Sequence, residues 1–243
     1  MLKVLVTPLN LMLAGAIALG LTQIMKDTSG VEVRGNVVKL DEIVTSDSTK
    51  PLVKELDLLE KSGRKSILLH VTSPGGSVMD GREVNEEIRS STATVNTLVT
   101  NYAMSMGMDF LLQGKERFAT PEAVGMIHRG SASGVSYASL KNMLEDLLAV
   151  KASGVKDAGL DGQIEGLRSA TDAMDVLFSS VFHRLEEIKK TAPDPESMDT
   201  LISNLKVGDR DIFLTAQQML ELGIVTKIVN SVEEAEQLTN ENS

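Results

Sequence analysis

The stretch SILLHVTSPGGSVMDGREVNEEIRS, residues 66–90, decides the fold. Residues 66–72 form an apolar, β-branched run of the kind found in strands covered on both faces. Ser73-Pro74-Gly75-Gly76-Ser77 interrupts it with turn chemistry, and residues 78–90 then read as a helix. A strand, a glycine turn and a helix in direct succession are the building unit of an α/β fold with mostly parallel strands. In such folds ligands sit where strand ends meet helix starts.

The same alternation extends to both sides. Upstream, residues 31–38 read as a strand, and 51–60 as an amphipathic helix carrying Leu52, Val53, Leu56, Leu58 and Leu59. Downstream, 95–100 is a β-rich run and 103–113 is helical until Gly114 stops it, which puts Ser105 at a second strand-to-helix junction. Beyond Gly134, Leu140, Met143, Leu144, Leu147 and Leu148 repeat at helical spacing, as do Met174, Leu177, Phe178, Val181, Leu185 and Ile188. Two long helices follow, with the Gly-, Asp- and Ala-rich residues 152–166 between them and Pro193 and Pro195 ending the second. Their stripes are too apolar for solvent, so residues 139–190 are expected to project and to bury them against one another or a neighbouring subunit. Residues 211–229 return to a helix at 217–222, a Gly223 C-cap and a final strand at 224–229, and the acidic tail reads as a solvated helix or frayed end.

The chain has 243 residues, 42% of them hydrophobic, enough for a true core in one domain. Lys plus Arg number 24 against 34 Asp plus Glu, a net charge of −10. That balance, with five Phe, two Tyr and no Trp, argues against nucleic acid as a partner. There is no cysteine, so disulfides, thiolate metal sites and thiol nucleophiles are excluded. Residues 1–25 contain one charge, Lys3, and an apolar run over 11–21. They read either as a signal peptide or anchor, implying export or membrane association, or as a helix packed on the body or a neighbour.

Two junctions carry chemistry. Gly75-Gly76 lets backbone approach a ligand closely, with amides able to hold negative charge, although the same turn also serves as an ordinary strand-to-helix connection. Ser105 is exposed at a tight turn with the next amide beside it, and equally reads as an N-cap. A serine nucleophile needs a base, and the histidines are His70, His128 and His183. His70 lies inside a strand and reads as a satisfied core residue; His183 falls on a helix surface; His128 follows the β-like run 124–127 and stands at a strand end. Among the carboxylates, Asp209 and Asp211 precede the apolar run that re-enters the body.

Taken in order, strand-SPGG, A-M-S-M-G at 103–107, M-I-H at 126–128 and R-D-I-F-L at 210–214 resemble the proteolytic subunit of the Clp protease, a serine peptidase family. The resemblance covers about residues 31–229 and is weak between 131 and 207. It implies an α/β crotonase-like spiral of β-β-α units over 31–230, with an enlarged helical handle at about 135–205 and an acidic tail at 231–243. It also implies a triad of Ser105, His128 and Asp211, an oxyanion hole at the Gly76 and Met106 amides, and Gly75 and Ser77 beside the substrate. Asp211 is preferred to Asp209 by the R-D-x-F-L box and because it adjoins the apolar segment. No metal or cofactor is implied.

The partners implied are peptide or unfolded protein, a homo-oligomeric ring and an ATP-dependent AAA+ unfoldase, in the cytoplasm. The chain itself lacks a GxxxxGK[ST] nucleotide loop. Departures from the family pattern are Met104, Thr72 before SPGG, and Arg129-Gly130 after the histidine, with extra residues around 152–171 in the handle that interlocks two rings. Alternatives are a signal-peptide-peptidase-like protease with a lysine base, an acyl-CoA hydratase or isomerase of the same fold, and an inactive structural subunit.

Overall fold

The computed structural model describes residues 30–132, 134–208 and 210–241. Residues 1–25 and Asp209, each the subject of an expectation, lie outside them. Strand β1 (Val31–Arg34) and β2 (Val37–Asp41) make an antiparallel hairpin where one strand over 31–38 was expected. The reason is Gly35, whose φ of 66° gives the left-handed turn that a two-residue connection needs.

From the hairpin the sheet continues through β3 (Ser66–Ser73), β4 (Thr94–Met104), β5 (Arg117–Ala119) and β10 (Lys227–Ile228), all parallel neighbours. Every residue of β3 is buried because both faces are covered. Ile67, Leu69 and Val71 join the main core with α1 (Ser46–Lys61), α2 (Val78–Ser90) and α3 (Met106–Gln113). Leu68 points the other way, to Val37, Leu98, Phe118 and the Ala235 of α8 (Val232–Glu241). The tail is therefore a packed helix with Ala235 and Thr239 buried, and not the solvated or frayed end expected of it.

On the edge away from β3, β4 serves two partners. Its residues 97–99 pair with β5, and 102–104 with β6 (Val124–Ile127), which also pairs antiparallel with β9 (Ile212–Thr215). This second pairing holds residues 103 and 104 extended, so α3 starts at Met106 and not at 103. β9 is a strand that the sequence reading left inside a helix-and-strand region; α7 (Ala216–Glu221) follows it, capped by Thr215.

The helices differ from expectation at their ends, mostly at prolines and glycines. α1 begins at Ser46, upstream of Pro51, because Ser48 and Thr45 cap it there. After the short hairpin β7 (Ser131–Ala132) and β8 (Val135–Ser136) come α4 (Tyr137–Ala152) and α5 (Ala158–Lys189). α5 is 32 residues long and takes up 158–166 of the supposed linker, leaving only 153–157 as the connection. Gly159, Gly162 and Gly166 lie within it, each about 1 kcal/mol poorer than Ala in a helix, while Leu160 and Ile164 between them are buried. As far as Met174, α5 pairs with α4 through Leu140, Leu167 and Met174, whereas Val181, Leu185 and Ile188 further along enter the main core. Only the earlier stretch of the helix is thus free to project.

α6 (Pro195–Val207) was not anticipated. Pro195 is its first residue, tolerated there because that N–H has no partner in any helix, and Asp194 caps it by accepting from the Ser197 N–H at 3.0 Å. Among the described residues no helix is long and apolar enough to cross a membrane.

Candidate active site

Three parallel strands deliver their C-terminal ends to one place: β3 ends in the Ser73–Gly76 turn, β4 at Ser105 and β6 at His128. β9 arrives antiparallel. Its register pairs Ile127 with Ile212, so one step further along the same ladder His128 stands opposite Asp211.

Ser105 has φ 52° and ψ −119°, the only positive φ outside glycine among the described residues. A side chain in that region costs about 1–3 kcal/mol and persists only where its surroundings enforce it. Here the Ser105 N–H donates to the Met126 carbonyl at 2.9 Å, and its own carbonyl accepts from Asp109 N at 3.1 Å. Two glycines permit the sharp strand-to-helix turn. A Cβ on Gly75 would lie 2.6 Å from the Ser105 Cβ, and one on Gly107 would lie 2.8 Å from the Ser73 oxygen. The result is a serine hydroxyl standing clear at a strained elbow.

Its Oγ lies 2.8 Å from His128 Nε2, and His128 Nδ1 lies 2.9 Å from Asp211 Oδ1. With Nδ1–H donating to the carboxylate, Nε2 is left as acceptor for the serine hydroxyl. The His128 side chain is 27% exposed and that of Asp211 53%. Asp211 is therefore fixed by strand register and not by the buried surroundings that its apolar neighbours suggested; Phe213 beside it is exposed as well.

Gly76, at φ 148°, is pressed against Val44, whose oxygen would be 2.2 Å from an added Cβ. The Met106 side chain is buried under α2, against Gly81. Neither the Gly76 nor the Met106 amide donates to a backbone carbonyl in the turns and loops among the described residues. Gly75 and Ser77 are differently occupied. Gly75 donates to Ser73 Oγ and accepts from Val44 N, while Ser77 donates its N–H to Val44 O and caps α2 by accepting from Asp80 N. Both border the site with their polar groups committed to shaping it.

The other histidines stand apart. His70 is buried, with Nε2 2.8 Å from Thr100 Oγ1, and burial, aided by Lys39, pushes its pKa down to about 4. His183 lies on the surface of α5 near Glu187. Asp209 lies outside the described residues.

Three contributors escaped the sequence reading. Leu177, Phe178 and Val181 of α5 close one side of an apolar slot that opens at Ser105 and His128. Asp109 lines the same slot, four residues from Ser105 and so one turn along α3, a spacing visible in the sequence but without meaning until α3 was placed. Arg129 is buried, its guanidinium 3.5 Å from the Tyr137 ring centroid, paired with Asp175 and donating to the Lys206 carbonyl at 2.9 Å. It ties the residue after His128 to α4, α5 and α6 at once. A larger cavity, about 550 Å³, lies elsewhere, between Arg89, Lys115 and His183, and touches none of the Ser105 group.

Comparison with known proteins places these residues in context. Residues 23–153 match the family model described as Clp protease. The ATP-dependent Clp protease proteolytic subunit 1 of Protochlamydia amoebophila is 30% identical over 200 residues, covering 81% of this chain and 82% of its own. The subunit 1 of Streptomyces avermitilis is 29% identical over 201 residues, 82% of this chain and 77% of its own. The subunit 2 of Synechococcus sp. is 26% identical over 199 residues, 82% and 85% respectively.

Proposed function

Because this chain belongs to the Clp protease family, whose members are serine endopeptidases, we propose that it hydrolyses peptide bonds with Ser105 as nucleophile, His128 as base and Asp211 as the acid that orients the base. The observation that carries the reading is the unbroken hydrogen-bonded chain Ser105–His128–Asp211 at a strained elbow. His128 Nε2 takes the hydroxyl proton as Ser105 Oγ attacks the substrate carbonyl, and Asp211 holds the imidazole in the required tautomer. The amides of Gly76 and Met106 receive the oxyanion; losing one such donor costs about 10²–10³ in rate. Imidazolium then protonates the leaving amine, and water hydrolyses the acyl-enzyme with His128 again as base. Gly75 and Ser77 contribute by holding Gly76 in place.

A lysine base, the signal-peptide-peptidase alternative, has no support at Ser105, whose hydroxyl bonds histidine. An inactive subunit or a crotonase-type enzyme has no need of the triad arrangement. We extend the reading to a ring of copies in the cytoplasm that receives unfolded protein from an ATP-dependent AAA+ unfoldase, in line with relatives that are named ATP-dependent proteolytic subunits. The handle is α4, the turn at 153–157 and α5 as far as about residue 176, where Met143, Val150, Val155 and Val176 are exposed. Labelling with a fluorophosphonate followed by peptide mapping tests the assignment. Modification at Ser105 is expected; labelling elsewhere or none, with hydrolysis still observed, overturns it.

A further inference from the structure

Asp109 is 7% exposed, and its carboxylate accepts from Asn85 Nδ2 at 2.8 Å and from Gln113 Nε2 at 3.0 Å. It forms no ion pair with any described residue. A charge withdrawn from water is ordinarily paired, so a buried carboxyl without a cation needs an explanation. A structural tie between α2 and α3 is a poor one, because Asn85 Oδ1 is left buried without a partner. The place of Asp109 is more telling. It lines the slot that begins at Ser105 and His128, whose remaining walls include Val78, Leu112, Ile127 and Phe178. One helical turn separates it from the nucleophile, about 6 Å along the axis, a distance that the stem of a lysine or arginine spans. Two of roughly four acceptor positions on the carboxylate remain open.

We propose that Asp109 is a specificity-determining residue that selects peptides with a basic side chain, lysine or arginine, at the residue whose carbonyl Ser105 attacks. The methylene stem lies along the apolar walls, and the terminal cation pairs with the carboxylate. This rests on the reading of Ser105 and His128 as nucleophile and base. The slot is narrow, about 30 Å³, and Leu177 and Phe178, which separate it from an adjoining cleft of about 310 Å³ that they also line, are the side chains whose displacement would admit a lysine or arginine stem.

The pH dependence has a definite sign. Burial raises the Asp109 pKa to about 6, against the two amides and Arg89, which lower it. The titratable groups facing Asp109 are Arg89 from α2 and His128 from the end of β6, while α5 presents Leu177, Phe178 and Val181. Asp109 is thus ionised above about pH 6 and neutral below it, and the preference for a cation strengthens as the pH rises through that value.

The test compares two fluorogenic peptides that differ only in lysine or norleucine at the cleaved residue, which share a stem and differ in the ammonium. kcat/KM is measured for both across pH with the assembled protein and with Asp109→Asn, and fluorophosphonate labelling counts active Ser105 in every sample. Because the ratio of the two substrates is read, the pH dependence of the catalytic step they share cancels. Lysine is expected to be favoured about tenfold or more at alkaline pH, with the ratio falling as the pH drops through about 6 and collapsing to about one in Asp109→Asn. The ratio of the parent protein and its pH profile decide the matter even if the variant folds poorly. A parent ratio near or below one, or a ratio unmoved by Asp109→Asn, overturns the proposal. If Ser105 labels and the norleucine peptide is cut without a lysine preference, Asp109 has no such role and the catalytic reading stands; if Ser105 does not label and neither peptide is cut, both fall.

Discussion

At the scale of single residues, Ser105 combines chemistry with backbone strain, and the two separate experimentally. Ser105→Ala keeps the unfavourable φ and removes the hydroxyl, so hydrolysis should fall to background while the melting temperature changes little. Ser105→Gly removes the hydroxyl and the side chain that is strained at φ 52°. It should be equally inactive yet about 1 kcal/mol more stable than Ser105→Ala by urea denaturation; equal stabilities would mean that the elbow stores no strain. Asp211 carries the second prediction. In a buried triad, replacing the acid by its amide lowers turnover about 10⁴-fold. Asp211 is 53% exposed, so water can partly replace its hold on the imidazole, and a loss of about 10²–10⁴-fold is expected for Asp211→Asn. Asp209→Asn should be nearly silent; a severe loss there beside an active Asp211→Asn would reverse the assignment.

At the scale of elements, α8 and Arg129 show how peripheral segments support the site. α8 covers the second face of β3 and β4, with Ala235 buried and Val232 and Leu238 packed on Leu68, Leu98 and Phe118. Truncation before Ser231 would expose that face and remove at least two or three apolar contacts, each side chain contributing about 1.5–3 kcal/mol when fully buried. A drop of about 3 kcal/mol or more in unfolding free energy is the expected result; an unchanged urea midpoint would show that the tail is dispensable. Arg129 is of a different kind, since it joins the residue after His128 to three helices by stacking, an ion pair and a hydrogen bond. Through it, α4, α5 and α6 are all tied to the end of β6.

For the whole molecule, the exposed Met143 and Val150 on α4, Val155 in the turn after it and Val176 on α5 call for burial elsewhere. Light scattering is expected to give a particle several times the 26.1 kDa of one chain, and Val176→Glu should reduce its size. A strictly monomeric particle that still hydrolyses peptides would remove the ring from the reading.

What the sequence determined by itself follows from local physics. The buried run 66–72, the paired glycines and the helix after them declared an α/β chain, and the order of four short motifs singled out Ser105, His128 and Asp211. Where local rules were ambiguous, tertiary contacts chose. Pro195 reads as a helix end or as a first residue, and only the packing of Met198, Leu201, Ile202 and Leu205 made it a start. Residues 103 and 104 have helical neighbours, yet β6 held them as strand. Asp109 sits on a helix whose pattern says only that it lies near the core. Its place beside the nucleophile depends on α2, α5 and β6 converging from distant parts of the chain, and no local pattern encodes a cavity whose walls come from separate segments.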